Sequence, residues 1–196
     1  MITSAELDAA VRIVRPHVPV TPAYRWPLLE RITGTPTWVK HENATPTGAF
    51  KVRGGLVYAA RLLDAEHPVR GMVTATRGNH GQSLAYAGRA HGIRVTITTP
   101  AVDTFVDGIA TRVPDGDAVD VMVRGAAPFV QVSDQATEQA MRYLWQTKHH
   151  MPEPSGAIAL AGLLADTARP DGAVAAVIMT GGNCDREFVQ RVVAGP

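Results

Sequence analysis

The chain has 196 residues, 45% apolar and 19% charged, enough to close a sizeable hydrophobic core and outside the range of a disordered segment. A net charge of +1 with acids and bases interspersed excludes the basic footprint of a nucleic-acid binder and a polybasic membrane patch. "MITSAELDAA" lacks a signal-peptide core, "AIALAGLLA" is too short to span a bilayer, and the single cysteine, Cys184, reads as an ordinary thiol without a disulfide or metal cluster. A cytoplasmic protein without a metal is the expectation.

In chain order, "TSAELDAAVRIV" opens with Thr3 and Glu6 in capping-box spacing and continues with helical apolar periodicity. "TPTWVKHEN" reads as a strand ending near Lys40. The turn-rich "ENATPTGAFKVRGG" then leads into a helix carrying Leu56, Val57, Ala60 and Leu63, which puts Lys51 in its first turn. Cations normally avoid that end, where the dipole and unpaired N–H groups are positive. Either Lys51 is incidental there, or the site wants an amine that is easy to deprotonate.

"GMVTAT" reads as a strand, "RGNHGQSLAYAGRAHG" as a helix closed by Gly92, and "IRVTITTP" as a second strand, together a right-handed parallel βαβ unit. "AVDTFVDGIATRVPDGDAVD" reads as irregular connection. Ser133 or Asp134 caps a helix bearing Ala140, Met141, Leu144 and Trp145, and "PEPSGAIALAGLLAD" supplies another. "AVAAVIM" reads as a strand buried on both faces, followed by "TGGNCD" and a last helix from about Asp185 to Val193. The alternation predicts an α/β fold with a mostly parallel open sheet and helices on both faces.

Ligands of such sheets gather at the carboxyl ends of the strands, where "PTGAFK", "TRGNHG" and "TGGNCD" all fall. Each places Gly, Asn or Thr where backbone N–H groups can meet an anion. Taken singly, Gly78 and the Gly181–Gly182 pair also suit plain tight turns, and His80 suits a hydrogen-bonder at a helix start. Together they bring an amine, an amide, a hydroxyl and backbone donors to one edge.

"KHENATPTGAFKVRG" resembles the lysine motif of fold-type-II pyridoxal-phosphate enzymes, specifically the threonine/serine dehydratase and serine racemase group. The resemblance continues, in the family's order, through "TATRGNHGQSLAYAGRAHGIRVTITTP", "DTFVDGIATRVP", "EPSGAIALAGLL" and "IMTGGNCDREFV". It implies pyridoxal 5'-phosphate as cofactor, with Lys51 as the catalytic Schiff-base lysine. It implies Phe50 beside the ring, Asn79 on the phenolic oxygen, Thr180 facing the pyridine nitrogen and Glu153 near the ring, although Glu153 also reads as a solvated helix-start acid. Arg77, Gly78, Asn79 and His80 would embrace the substrate carboxylate. The reaction implied is β-elimination from L-threonine or L-serine, giving a 2-oxo acid and ammonia.

Arg77 stands where racemases of the group carry a proton-shuttling serine, and a guanidinium does not exchange protons near neutral pH, so elimination is favoured over racemisation. Ala49 replaces a serine common in relatives. "DTFVDGIATRVP" follows "TITTP" almost at once, whereas in relatives a long block intervenes that holds the glycine-rich phosphate loop and the carboxylates of a metal site. The expected division is therefore 1–66 with 101–196 as a large cofactor domain and 67–100 as the remnant of a small substrate-closing domain. Unpaired sheet edges make a homodimer, or a hetero-oligomer with a relative, the expected assembly. Loss of the phosphate loop is expected to impair or abolish catalysis, and an inactive family remnant serving as a binding or hetero-oligomerising module is the alternative from another class. A generic nucleotide-binding domain ranks below both, because no G-x-G-x-x-G or P-loop lysine motif is present.

Overall fold

The computed structural model describes residues 2–66, 69, 71–75, 78–98, 130–167 and 172–195. Two sequence expectations, the substrate contact at Arg77 and the irregular connection over 101–120, lie outside them.

Helix α1 (Ser4–Val14) starts with the expected capping box, Thr3 and Glu6 each satisfying the other's backbone N–H. Strand β1 (Ala23–Arg25) and helix α2 (Pro27–Thr33) follow, then β2 (Thr37–His41), a single 3-10 turn (Glu42–Ala44) and α3 (Lys51–Leu63). β3 (Gly71–Ala75), α4 (Asn79–His91) and β4 (Arg94–Thr98) form the expected βαβ unit, with Gly92 left-handed at φ +69° where α4 stops. Beyond the undescribed stretch lie α5 (Asp134–Lys148), α6 (Pro154–Ala165), β5 (Ala175–Met179) and α7 (Arg186–Ala194). Ser133, rather than Asp134, is the N-cap of α5, accepting from the Ala136 N–H. β1 and α2 were not foreseen: three residues are too few for a periodic signal, and α2 has a tryptophan, Trp26, in the cap position.

The described strands form two sheets. β2 is central in the first, antiparallel to β1 and parallel to β5, with Val39 opposite Val177 and His41 opposite Met179. β3 and β4 pair in parallel to make the second. One core packs Val39, Val177 and Met179 against Leu160 of α6, Met141 and Leu144 of α5 and Val192 of α7. The other joins Val14 of α1 and Val52, Leu56 and Ala59 of α3 to Met72, Leu84 and Ala87, elements from both sides of residue 66.

The strand expected to be buried on both faces is not. Val177 and Met179 point into the core, while Ile178 is 51% exposed. Among the described residues β5 has a partner on one side only, so it is an edge strand with one face uncovered, and Trp38 of β2 is 44% exposed on that same face. An unbroken apolar run does not distinguish a central strand from such an edge.

Candidate active site

The loop that delivers Lys51 is fixed by its own residues. Gly48 is left-handed at φ +68° and donates its N–H to the Thr45 carbonyl at 3.0 Å. The Thr45 hydroxyl donates to the Ala49 carbonyl at 2.7 Å and accepts the Ala49 N–H at 2.9 Å, closing the turn from both sides. Behind the loop, Arg53 grips the buried Glu42 with two parallel bonds of 2.8 and 3.1 Å, and Thr21 donates to the same carboxylate at 2.6 Å. The first turn of α3 is thereby tied to the strand end that precedes it. Phe50, at the N-cap, is 43% exposed, and Lys51 is the first helical residue, half-buried.

The backbone around Lys51 is tied to the other two polar segments. The Phe50 N–H donates to the Thr180 carbonyl at 3.0 Å, the Gly182 N–H to the Gly48 carbonyl at 3.0 Å, and Ala49 bridges Gly181 in antiparallel fashion. From α4, Ser83 donates to the Lys51 carbonyl at 2.5 Å. A Cβ on Gly55 would lie 2.3 Å from the Ser83 oxygen, so this glycine is what lets α3 and α4 approach. His80 lies near enough that the Lys51 charge, after partial burial, helps push its imidazole pKa below the ordinary value.

At the centre is Glu153, the N-cap of α6, only 7% exposed; burial excludes the reading of a solvated acid. Its N–H donates to the Gly181 carbonyl at 3.1 Å, and its carboxylate accepts from both Ser155 Oγ, at 2.7 Å, and Asn79 Nδ2, at 2.6 and 2.8 Å to the two oxygens. Asn79 Oδ1 in turn accepts from Asn183 Nδ2 at 2.7 Å, whose other neighbours are the Thr47 carbonyl at 2.8 Å and Gln82 Oε1 at 3.1 Å. Thr180 Oγ1 donates to the Ser155 carbonyl at 3.3 Å. A Cβ on Gly181 would fall 2.7 Å from the Glu153 carboxylate, so the cradle exists only because that residue is glycine. Gly78 is exposed at the N-cap of α4.

Lys51, Asn79, Glu153 and Thr180 are thus brought together, with His80 beside Lys51. Asn183, Ser155 and Gln82 belong to the same network and were missed: each sits within a quoted motif, but only the fold shows that their side chains join Asn79 and Glu153. The amine, amide and hydroxyl fit the ring-side needs of pyridoxal phosphate, the amine as its covalent partner and the others as donors. The phosphate is different, since the described residues include no run of glycines beyond Gly54–Gly55 and Gly181–Gly182. Asn79 also has both ends of its amide engaged within the protein, so holding a cofactor oxygen requires it to let go of Glu153 or share it. Among the described residues no cluster of His, Cys, Asp and Glu could hold a metal ion, and no helix is long and apolar enough to cross a membrane.

A second polar group lies close by. Trp26 Nε1 donates to His41 Nε2 at 3.3 Å, which places the proton of neutral His41 on Nδ1. The His41 and His150 rings are 4.9 Å apart, and Lys148 Nζ, 5% exposed as a residue, contacts Met179 Sδ at 3.2 Å and lies 5.9 Å from the Trp26 ring centre. Burial pushes the Lys148 ammonium down to about 7, and burial followed by the Lys148 and His150 charges pushes His41 down to about 4. Cys184 goes the other way: burial, then Asp185 and Glu153, raise its thiol to about 11 and keep it a protonated, unreactive thiol at neutral pH.

Comparison with known proteins gives the same picture. The family model described as pyridoxal-phosphate dependent enzyme matches residues 14–103 and 98–181, two stretches that meet where the sequence places the missing block. L-threonine ammonia-lyase of Thermotoga maritima is 32% identical over 72% of this chain and 33% of its own length. Human serine racemase is 30% identical over 79% of this chain and 44% of its own. This chain therefore spans between a third and a half of those relatives. The solved serine racemase of Dictyostelium discoideum superposes with a TM-score of 0.80 at 17% identity, covering 94% of this chain and 99% of the other. A solved T.th. threonine deaminase superposes with a TM-score of 0.79 at 20% identity over the same shares, and both are likenesses of fold. With the lysine, the asparagine and the glycine turn assembled at one edge of that fold, the chain belongs to the pyridoxal-phosphate dependent enzyme family, in its threonine/serine dehydratase-like branch.

Proposed function

We propose that this chain is a pyridoxal-phosphate dependent threonine/serine ammonia-lyase, acting in the cytoplasm on a small β-hydroxy amino acid and releasing a 2-oxo acid and ammonia. The observation that carries the reading is the convergence of Lys51, Asn79 and Thr180 on one cleft around the buried Glu153. When bound, the cofactor supplies an electron sink for the charge left on the substrate's α-carbon. Lys51 is the cofactor's covalent partner and, once released, the base for the α-proton. Thr180 would offer the ring nitrogen a hydroxyl rather than a carboxylate, an environment that would favour prompt loss of the β-hydroxyl. The Gly78–Asn79–His80 turn holds the substrate carboxylate against the N-terminus of α4, with Arg77 beside it and Phe50 against the ring. Residues 67–100 are the remnant of the substrate-closing domain, and a second chain covers the exposed sheet face.

A second reading, favoured by the saturated Asn79 amide and the missing phosphate loop, is an inactive module that associates with a full-length relative. One experiment separates the two: the visible absorbance spectrum of the folded chain with pyridoxal phosphate, using Lys51→Ala as control. The first reading expects an imine band in the parent, absent from the variant, together with 2-oxo acid release from threonine or serine. A folded parent without the band would leave the second.

A further inference from the structure

A groove of about 460 Å³ runs between α1 and α3, on a face of α3 that the cleft does not use. Its floor is apolar, built by Leu7, Val11 and Val14 of α1 and Val57 and Tyr58 of α3, with Leu7 59%, Val11 41% and Tyr58 54% exposed. Arg15, Arg53 and Arg61 also line it, and no Asp or Glu does. Arg53 is held by Glu42, and Glu6 lies within electrostatic reach of Arg61. Among the described residues no carboxylate pairs with Arg15. Gly54 opens the floor, because a Cβ there would meet nothing within 4 Å.

We propose that this groove binds a small amphiphilic carboxylate, its aliphatic tail along the α1–α3 floor and its head on Arg15. The volume lies in the range of small-molecule sites, roughly 300–1,000 Å³. Leu7 to Val14 spans about 10 Å along a helix, the reach of a tail of about eight carbons. An apolar trough lined by guanidinium-bearing residues selects such a ligand over a neutral or cationic amphiphile, because of these heads the carboxylate is the one that can satisfy a guanidinium with two parallel bonds. The site is separate from the cofactor cleft and does not depend on the proposed reaction.

The test is titration of the full chain with sodium octanoate, followed by backbone amide NMR shifts. Saturable shifts confined to α1 and α3 are expected, about tenfold weaker for hexanoate, which buries two fewer methylenes. Arg15→Gln should weaken binding about fivefold, the order of an exposed ion pair. Gly54→Leu should abolish it while leaving the fold intact, since the side chain fills the groove and replaces a helix-interior glycine. Octylammonium or octanol binding as tightly as octanoate would overturn the proposal, as would shifts that never saturate. Self-association of the chain that Gly54→Leu disrupts would also overturn it, by showing that a second copy covers the groove.

Discussion

Two polar clusters lie side by side at the carboxyl ends of β2 and β5, and they are built on opposite terms. Around Glu153 every polar side chain has a partner of matching chemistry: a carboxylate meets an amide and a hydroxyl, and an amide oxygen meets another amide. Around Lys148 the partners are a thioether sulfur and an indole face, with two histidines nearby and, among the described residues, no carboxylate in contact. A satisfied buried network fixes one geometry, whereas an unpaired buried amine costs stability and loses its proton easily. The first cluster is organised like a site and the second like a tolerated burden on the fold.

The sharpest way to break the first cluster is to crowd it. Gly48→Ala puts a Cβ 2.4 Å from Asn183 Oδ1 on a residue held at φ +68°, so about 2–4 kcal/mol should be lost through steric overlap and left-handed strain. A urea midpoint unmoved by this change would mean that the loop before Lys51 is not held as described.

The second cluster should respond in the opposite direction. Lys148→Met removes the buried amine and should raise stability at pH 7 by about 1–4 kcal/mol. Its pH dependence follows from the sign of the shift. Lys148, near 7 in the folded chain, titrates at its ordinary higher value when unfolded, so the unfolded state holds more protons between the two. The burial penalty is complete below about pH 7 and fades as pH rises, and stability therefore climbs from pH 7 towards 10. Parallel urea curves at pH 7 and 9.5 check this: the climb should vanish in Lys148→Met. A slope equal in both proteins would show that other groups produce it.

The smallest effect calibrates the others. Ser133→Ala removes the hydroxyl that accepts the Ala136 N–H at 3.1 Å, far from either cluster, and should cost about 1 kcal/mol. Thermal unfolding can resolve a change of that size, and a loss as large as that of Gly48→Ala would erase the contrast between crowding a packed network and trimming an exposed cap.

Much of this was legible in the residues. The capping box at Thr3 and Glu6, the stop at Gly92 and the period of α3 rest on local rules, so the helices and the βαβ unit could be read from neighbours in sequence. The position of Lys51 at a helix start was legible for the same reason. Three residues of β1 carry no such local signal; α2 carries one, Pro27 at its start and left-handed Gly34 at its end, yet both elements were missed. So was the exposure of Ile178, because the number of strands beside β5 is not a property of its own sequence.

The sequence by itself determined which residues reach the cleft's edge, because turns and helix starts are set within a few residues of chain. Only the tertiary structure decided what those residues do to one another. Glu153 is buried rather than solvated because Gly181 leaves room for its carboxylate, and Asn79 is occupied because Glu153 and Asn183 arrive from elements more than seventy residues away. Packing also made Lys148 an amine near neutrality, since its charge is set by what surrounds it and not by its neighbours in the chain.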